Sequence, residues 1–389
     1  MGGKRAIDYM ILGVTVALTL FGLVLVFSAS FYVSQAKGGE GSYFLIKQLI
    51  GAAIGIAALL IACYVPYRIY NKPAVPILMM IISIVLLVVV LFVDKKNDVN
   101  RFLTIGGIQF QPSEIGRFSL IIFISWWISG HTNDLRDKSF KRFFTKGLSG
   151  PLTATALITG LILMGSNLSM AISTLLITLA MLLVAGVNWK RVSIMLGACG
   201  LVGLIFSVTA AFRFKRLFIF LHPWSDPKGS GYQIVQSLYA LGNGGIFGVG
   251  LGNSRQKLLY LPYAESDFIL SIVGEEFGFI GFALLMVLFW ILIWRGMLVA
   301  SKSPDDFGML MAAGITSLIG VQFLINVLVV TSSMPPTGVP LPFISAGNTS
   351  LIVFMAAVGI LLNISRHEQR MRRPVNGPQQ ARGMRGTPC

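Results

Sequence analysis

Residues 74–93 read AVPILMMIISIVLLVVVLFV, twenty residues with no charge and a single hydroxyl at Ser83. A helix rises about 1.5 Å per residue, so such a run crosses the roughly 30 Å hydrocarbon core of a bilayer. A helix that is apolar on every side has no face to offer water. Working outward from this stretch, comparable runs are centred in 8–30, 44–65, 112–130, 150–166, 168–188, 192–212, 270–297, 308–331 and 345–364. Only Gly165-Ser166-Asn167 separates the fifth run from the sixth. The expected fold is all-α, a polytopic membrane protein of ten transmembrane helices.

Composition agrees. Of 389 residues, 55% are hydrophobic and 12% charged, too few charges to cover a water-facing surface. The 42 glycines suit helices that pack backbone to backbone in lipid. An even number of spans puts both termini on one side, and positive charge says which. With the N-terminus inside, 19 of the 31 Lys and Arg residues are cytoplasmic and Arg117 lies within a span. Five of the six tryptophans fall at inner helix ends, as an interfacial belt requires. Both termini are therefore expected in the cytoplasm. The net charge of +16 reads as an inside excess facing anionic headgroups. Residues 1–369 form the membrane domain, and 370–389 are a basic tail of disordered composition. Aromatic interleaving is missing from that tail, so no nucleic acid is expected as a partner. Cys63, Cys199 and Cys389 make no CxxC or Cys/His cluster, which argues against a zinc site or disulfide framework.

One external segment, 213–266 between the seventh and eighth spans, is too long for a simple connector. It is rich in Phe, Tyr, Leu and Ile, and eight glycines lie between Gly229 and Gly252. Two readings are open for the glycines: backbone N–H groups that cradle a phosphate, or a loop folded tightly on helices. No Gly-Lys-Ser/Thr ending follows, which excludes a nucleotide P-loop. Arg213, Lys215, Arg216, Arg255 and Lys257 bracket the segment against the general charge bias. Either an acidic ligand or simple solvation accounts for them.

Ionisable groups at membrane depth are costly and point to function. Glu114 and Arg117 open the fourth span at i,i+3, where each can neutralise the other; they are a structural pair or part of a site. Asp267 begins the eighth span at the outer boundary. It is a helix N-cap or a partly desolvated carboxylate raised toward the range of a general base. Glu275 and Glu276 lie two turns on, pointing in different directions. The three histidines, His131, His222 and His367, fall on opposite sides of the membrane, so a Ser/His/Asp triad cannot assemble.

Several ordered strings resemble the SEDS family (FtsW/RodA/SpoVE) of cell-wall proteins. They are Gln111-Pro112-Ser113-Glu114; Asp226-Pro-Lys-Gly-Ser-Gly-Tyr-Gln233; Gly248-Val-Gly-Leu-Gly-Asn-Ser254; Asp267-Phe-Ile with Gly274-Glu-Glu-Phe-Gly278; and Pro336-Thr-Gly-Val-Pro-Leu-Pro-Phe-Ile-Ser345. Residues 251–262 are closer to the FtsW/SpoVE branch than to RodA. Four departures stand out: Arg117 where the family has Lys, Ser166-Asn-Leu-Ser-Met170 for Pro-Asp-Leu-Gly-Thr, Glu265-Ser266 for His-Thr, and Ser345-Ala-Gly-Asn-Thr349 for Ser-Tyr-Gly-Gly-Ser.

The resemblance implies polymerisation of lipid II into peptidoglycan strands on the outer face of the cytoplasmic membrane. The implied partners are a class B penicillin-binding transpeptidase and other divisome or sporulation membrane proteins. By position, Asp267 matches the family's essential aspartate and is the expected catalytic base. Arg213, Arg216, Arg255 and Lys257 are expected to face the pyrophosphate, Glu114 and Arg117 to form a supporting pair, and Glu275, Glu276 and Ser345 to support the site. A magnesium or manganese ion held by Asp267 is the only cofactor considered, and no organic one is expected. Two rival readings belong to other classes. A lipid II flippase would line a path with Glu114, Arg117, Glu275 and Glu276 and show an inverted repeat, and the sequence has no such repeat. A non-catalytic scaffold for the transpeptidase leaves Asp267 without a task.

Overall fold

The computed structural model describes residues 7–36, 38–93, 101–105, 108–132, 146–195, 197 and 220–371. Ten helices are traced: α1 (Tyr9–Ala36), α2 (Tyr43–Tyr64), α3 (Ala74–Val93), α4 (Pro112–Gly130), α5 (Ser149–Met164), α6 (Leu168–Val184), α7 (Tyr232–Gly244), α8 (Ile269–Ser301), α9 (Asp306–Val330) and α10 (Asn348–Met371). Six of them (α1, α2, α3, α8, α9 and α10) are long and apolar enough to cross a membrane. Exposed Ile61, Ile81, Val85 and Leu284 give the bundle an apolar outer surface, as lipid demands and water would not tolerate. The chain is a polytopic α-helical membrane protein.

Helices α5 and α6 are apolar but shorter, and α4 carries Glu114 and Arg117. The expected seventh span, 192–212, lies almost wholly outside the described residues, as does the tail from 372. Two features add to the expected set of spanning helices. A two-stranded antiparallel hairpin, β1 (Leu103–Ile105) with β2 (Ile108–Phe110), leads into α4. The long segment before α8 also contains an amphipathic helix, α7, packed on α8.

Helix α9 sits at the centre, touching α4, α6, α8 and α10, and Met311, Ala312, Ala313 and Ile315 are fully buried. Helices α2 and α10 run closely together because Gly359 has no side chain: a Cβ there would lie 2.4 Å from the Leu59 carbonyl oxygen. This is small-residue packing of the kind that holds helices together in lipid.

Candidate active site

One end of the bundle gathers the chemistry. Asp267 lies in the connector two residues before α8, outside the spanning helix. It does not cap that helix. Phe268 occupies the cap position, without a side-chain bond, so the plain N-cap reading does not apply.

The connector is held in place from three sides. The Asp267 carbonyl accepts from Asn326 Nδ2 at 3.0 Å, and the same amide donates to the Val339 carbonyl at 3.0 Å. Gln322 Nε2 donates to the Pro340 carbonyl at 2.9 Å. Ser345 Oγ donates to the Ser266 carbonyl at 2.6 Å and accepts from Leu341 N–H at 2.8 Å. Ala346 N–H donates to the Glu265 carbonyl at 2.9 Å. Gln48 on α2 closes the frame through the Ser345 carbonyl and Gly347 N–H. Ser345 is thus a positioning residue for the strand of chain that carries Asp267.

Asp267 is half-buried. Burial pushes its carboxyl up to about 7, Arg101 opposes that rise, and Glu265 adds to it. Such a group can lose and regain a proton at neutral pH. Arg101, just before the hairpin, stands opposite: an ideal Cβ on Gly338 would lie 3.5 Å from both Arg101 Nη1 and Asp267 Oδ2. Arg101 Nη2 also donates to the Ser166 carbonyl at 2.5 Å, tying in the break between α5 and α6. At that break Asn167 caps α6 by accepting from Met170 N–H at 3.2 Å, a task its side-chain oxygen shares with the acid it replaces.

The other expected residues divide sharply. Glu114 and Arg117 form a buried ion pair, and Arg117 Nη1 reaches Ser173 on α6 at 3.0 Å. Lys257 corrects the sequence reading: it does not face outward. Its Nζ lies 2.8 Å from Glu276 Oε1 and 2.9 Å from Ser28 Oγ, fully buried. Its charge is neutralised there, which removes it from any pyrophosphate subsite. Glu275 accepts from Ser254 Oγ and from the N–H groups of Arg255 (3.2 Å) and Gln256 (3.3 Å). The two adjacent glutamates therefore clasp residues 254–257 to α8. The side chain of Arg255 is exposed, and Arg213 and Arg216 lie outside the described residues.

The glycine-rich loop also proves structural. Helix α8 is broken at Gly278, where φ is +66° and ψ −164°. The carbonyls of Glu275 and Glu276 accept from Val249 and Gly250 N–H, both at 3.0 Å, while Phe279 and Ile280 N–H donate to Gly245 and Ile246. The loop thus supplies the hydrogen bonds that the broken helix lacks, which backbone at this depth cannot draw from water.

Sequence reasoning passed over Arg101, Gly338, Asn326 and Gln322. Arg101 lies ten residues before Gln111-Pro112-Ser113-Glu114, on the far side of the hairpin, and only the fold brings it to Asp267.

Residues 8–370 match the FtsW/RodA/SpoVE family, described as cell cycle protein. Stage V sporulation protein E of Bacillus subtilis (strain 168) is 38% identical over 381 residues, covering 94% of this chain and 99% of that protein. A probable peptidoglycan glycosyltransferase FtsW of Trichlorobacter lovleyi is 39% identical over 365 residues, 92% of this chain and 93% of that one. Among solved structures, a chain from work on the structural coordination of polymerization and crosslinking by a peptidoglycan synthase complex superposes with a TM-score of 0.75. That match is 23% identical and covers 93% of this chain and 98% of the other. The rod shape determining protein RodA of Thermus thermophilus gives a TM-score of 0.67 at 22% identity, covering 93% and 97%. At such identities these two likenesses speak to the fold. On its sequence and its fold together, this chain belongs to the FtsW/RodA/SpoVE family.

Proposed function

We propose that the chain is a peptidoglycan glycosyltransferase that polymerises lipid II on the outer face of the cytoplasmic membrane, with Asp267 as the general base. The observation that carries this reading is a framed, half-buried Asp267 carboxyl raised to about 7 with a guanidinium opposite it. Family membership and relatives named peptidoglycan glycosyltransferase support it. In the reaction, Asp267 takes the proton of an acceptor hydroxyl as that oxygen bonds to the donor's anomeric carbon. The bond from that carbon to the pyrophosphate oxygen breaks, and its electron pair leaves with polyprenyl pyrophosphate. One displacement inverts the anomeric centre. The leaving group is already good, so a second carboxylic acid is not needed, unlike in glycoside hydrolysis.

A magnesium or manganese ion belongs to this reading. Asp267 and Glu265 share one tight turn, and Glu265 Oε2 is buried without a hydrogen-bond partner. Among the described residues no group of three or more His, Cys, Asp or Glu forms a cage. Two carboxylates suit a hard cation that takes its other ligands from water and phosphate; when bound, it neutralises charge on the pyrophosphate. No organic cofactor enters.

The reading extends to ten spans with both termini in the cytoplasm, a septal location in division or sporulation, and a class B penicillin-binding transpeptidase as partner. The fold likeness to a chain of a peptidoglycan synthase complex supports that partner. The flippase alternative loses its path, because Glu114, Glu275 and Glu276 are each tied to a protein partner. The test is to purify the chain with its cognate transpeptidase, supply lipid II, and compare wild type with Asp267→Asn on a glycan gel. Polymer from the wild type and none from a folded Asp267→Asn protein is expected. Polymer from both moves the base to Glu265. Polymer from neither, with lipid II crossing vesicles, turns the reading to a flippase.

A further inference from the structure

We propose that Arg101 is a substrate-binding residue of this site, gripping a phosphate oxygen of the donor while Asp267 takes the acceptor's proton. The inference rests on the polymerase reading and adds to it the cation that faces the reacting bond.

Three observations carry it. First, Arg101 Nη1 and Asp267 Oδ2 face one another across Gly338, each 3.5 Å from the point where a Cβ would stand. Cation and base thus converge on one point that no side chain of Gly338 occupies. Second, Thr337, next to Gly338 in the chain, has its Oγ1 buried without a hydrogen-bond partner, and a hydroxyl can donate to a phosphate oxygen. Buried polar atoms in native folds are almost always paired, so this hydroxyl marks a place where a ligand oxygen completes the set. Third, Arg101 is held rigidly, by its bond to the Ser166 carbonyl at the α5–α6 break.

Charge explains the need. An ionised Asp267 repels a pyrophosphate drawn to the same spot, and a guanidinium opposite makes that pair neutral. Arginine also presents a planar fork that matches phosphate oxygens. The described cations proposed from sequence fill this role poorly, since Lys257 is neutralised by Glu276 and Arg255 points into solvent.

The experiment uses the full chain with its transpeptidase in detergent and two probes: a polyprenyl pyrophosphate for binding and lipid II for turnover. Arg101→Gln is expected to weaken polyprenyl pyrophosphate binding by about 10- to 100-fold, the range for one charge-assisted hydrogen bond. KM for lipid II should rise with it. Arg101→Lys should recover part of the loss, because the charge returns without the fork. Gly338→Ala guards against misfolding: its methyl would make only ordinary contacts, so melting should not change while turnover falls. Binding by Arg101→Gln equal to wild type overturns the proposal, as does loss on Arg255→Gln instead. A wild type that binds the probe through Arg101 yet makes no polymer removes the polymerase reading and leaves the Arg101 site standing.

Discussion

Replacing Lys257 with Met should destabilise the protein more than any surface change. Lys257 and Glu276 are 3% and 0% exposed, with Nζ and Oε1 2.8 Å apart. Removing one partner of a buried pair strands the other charge, at about 3–5 kcal/mol. Ser28 Oγ still donates its one proton to the Glu276 carboxylate, whose oxygens lie at 2.7 and 3.0 Å. That charge-assisted bond is worth about 1.5–3 kcal/mol, so the loss should sit at the low end, about 3 kcal/mol. The measurement is the folded fraction after graded heating in detergent, followed by fluorescence-detected gel filtration. The double change Lys257→Met with Glu276→Gln removes both charges and should restore most of the loss. A Lys257→Met protein that melts with wild type would refute the buried clasp. So would a double variant no better than the single one.

Gly244→Ala should abolish folded protein, because its Cβ would fall 1.9 Å from the Gly274 carbonyl oxygen. Gly13→Ala, with nothing within 4 Å, should be neutral or stabilise by about 0.5–1 kcal/mol; yield of folded protein reads both. Asp267 acts as a base only when ionised, and burial holds its carboxyl near 7. Polymerisation rate should therefore fall about tenfold per pH unit below that value and level off above it; a flat profile through neutrality contradicts the assignment. Ser345→Ala removes the acceptor for Leu341 N–H and the donor to Ser266, at about 1–2 kcal/mol. Steady-state kinetics should show kcat down roughly tenfold with KM held, since Ser345 touches the connector and not the substrate.

The spanning helices were legible because lipid writes the rule directly into the sequence: twenty apolar residues without charge have one home. Nine of the ten runs coincide with helices among the described residues. Position alone left Asp267 open between an N-cap and a raised carboxylate. The structure puts the cap at Phe268 and burial raises the carboxyl, while the role of base came from the resemblance. Lys257 was misread because side-chain direction around a glycine-rich loop has no periodicity to follow. Its partner lies nineteen residues away across a broken helix, a distance that only the loop's return path brings to contact. Arg101 was invisible for the same cause, since its neighbours come from the α5–α6 break, the segment around Gly338 and the α8 connector. The glycines were half legible: tight packing was one of two readings, and the break at Gly278 decides it.

Why α8 breaks follows from its length. Thirty-three residues make about 50 Å of helix, well beyond a hydrocarbon core of roughly 30 Å. Its N-terminal end, Ile269 to Glu276, is buried throughout, whereas Phe279, Ile280 and Leu284 are exposed. Gly278 therefore marks the change from a helix wrapped in protein to a helix bathed in lipid. The wrapping is residues 244–257, bound through backbone bonds to Glu275 and Glu276 and through the buried Lys257. Asp267 stands at the head of that wrapped portion, so the glycine-rich loop, together with Asn326 and Ser345, fixes its position. A long loop in a membrane enzyme invites the guess that it touches substrate; in this chain residues 245–257 instead bond to a broken helix on the C-terminal side of Asp267.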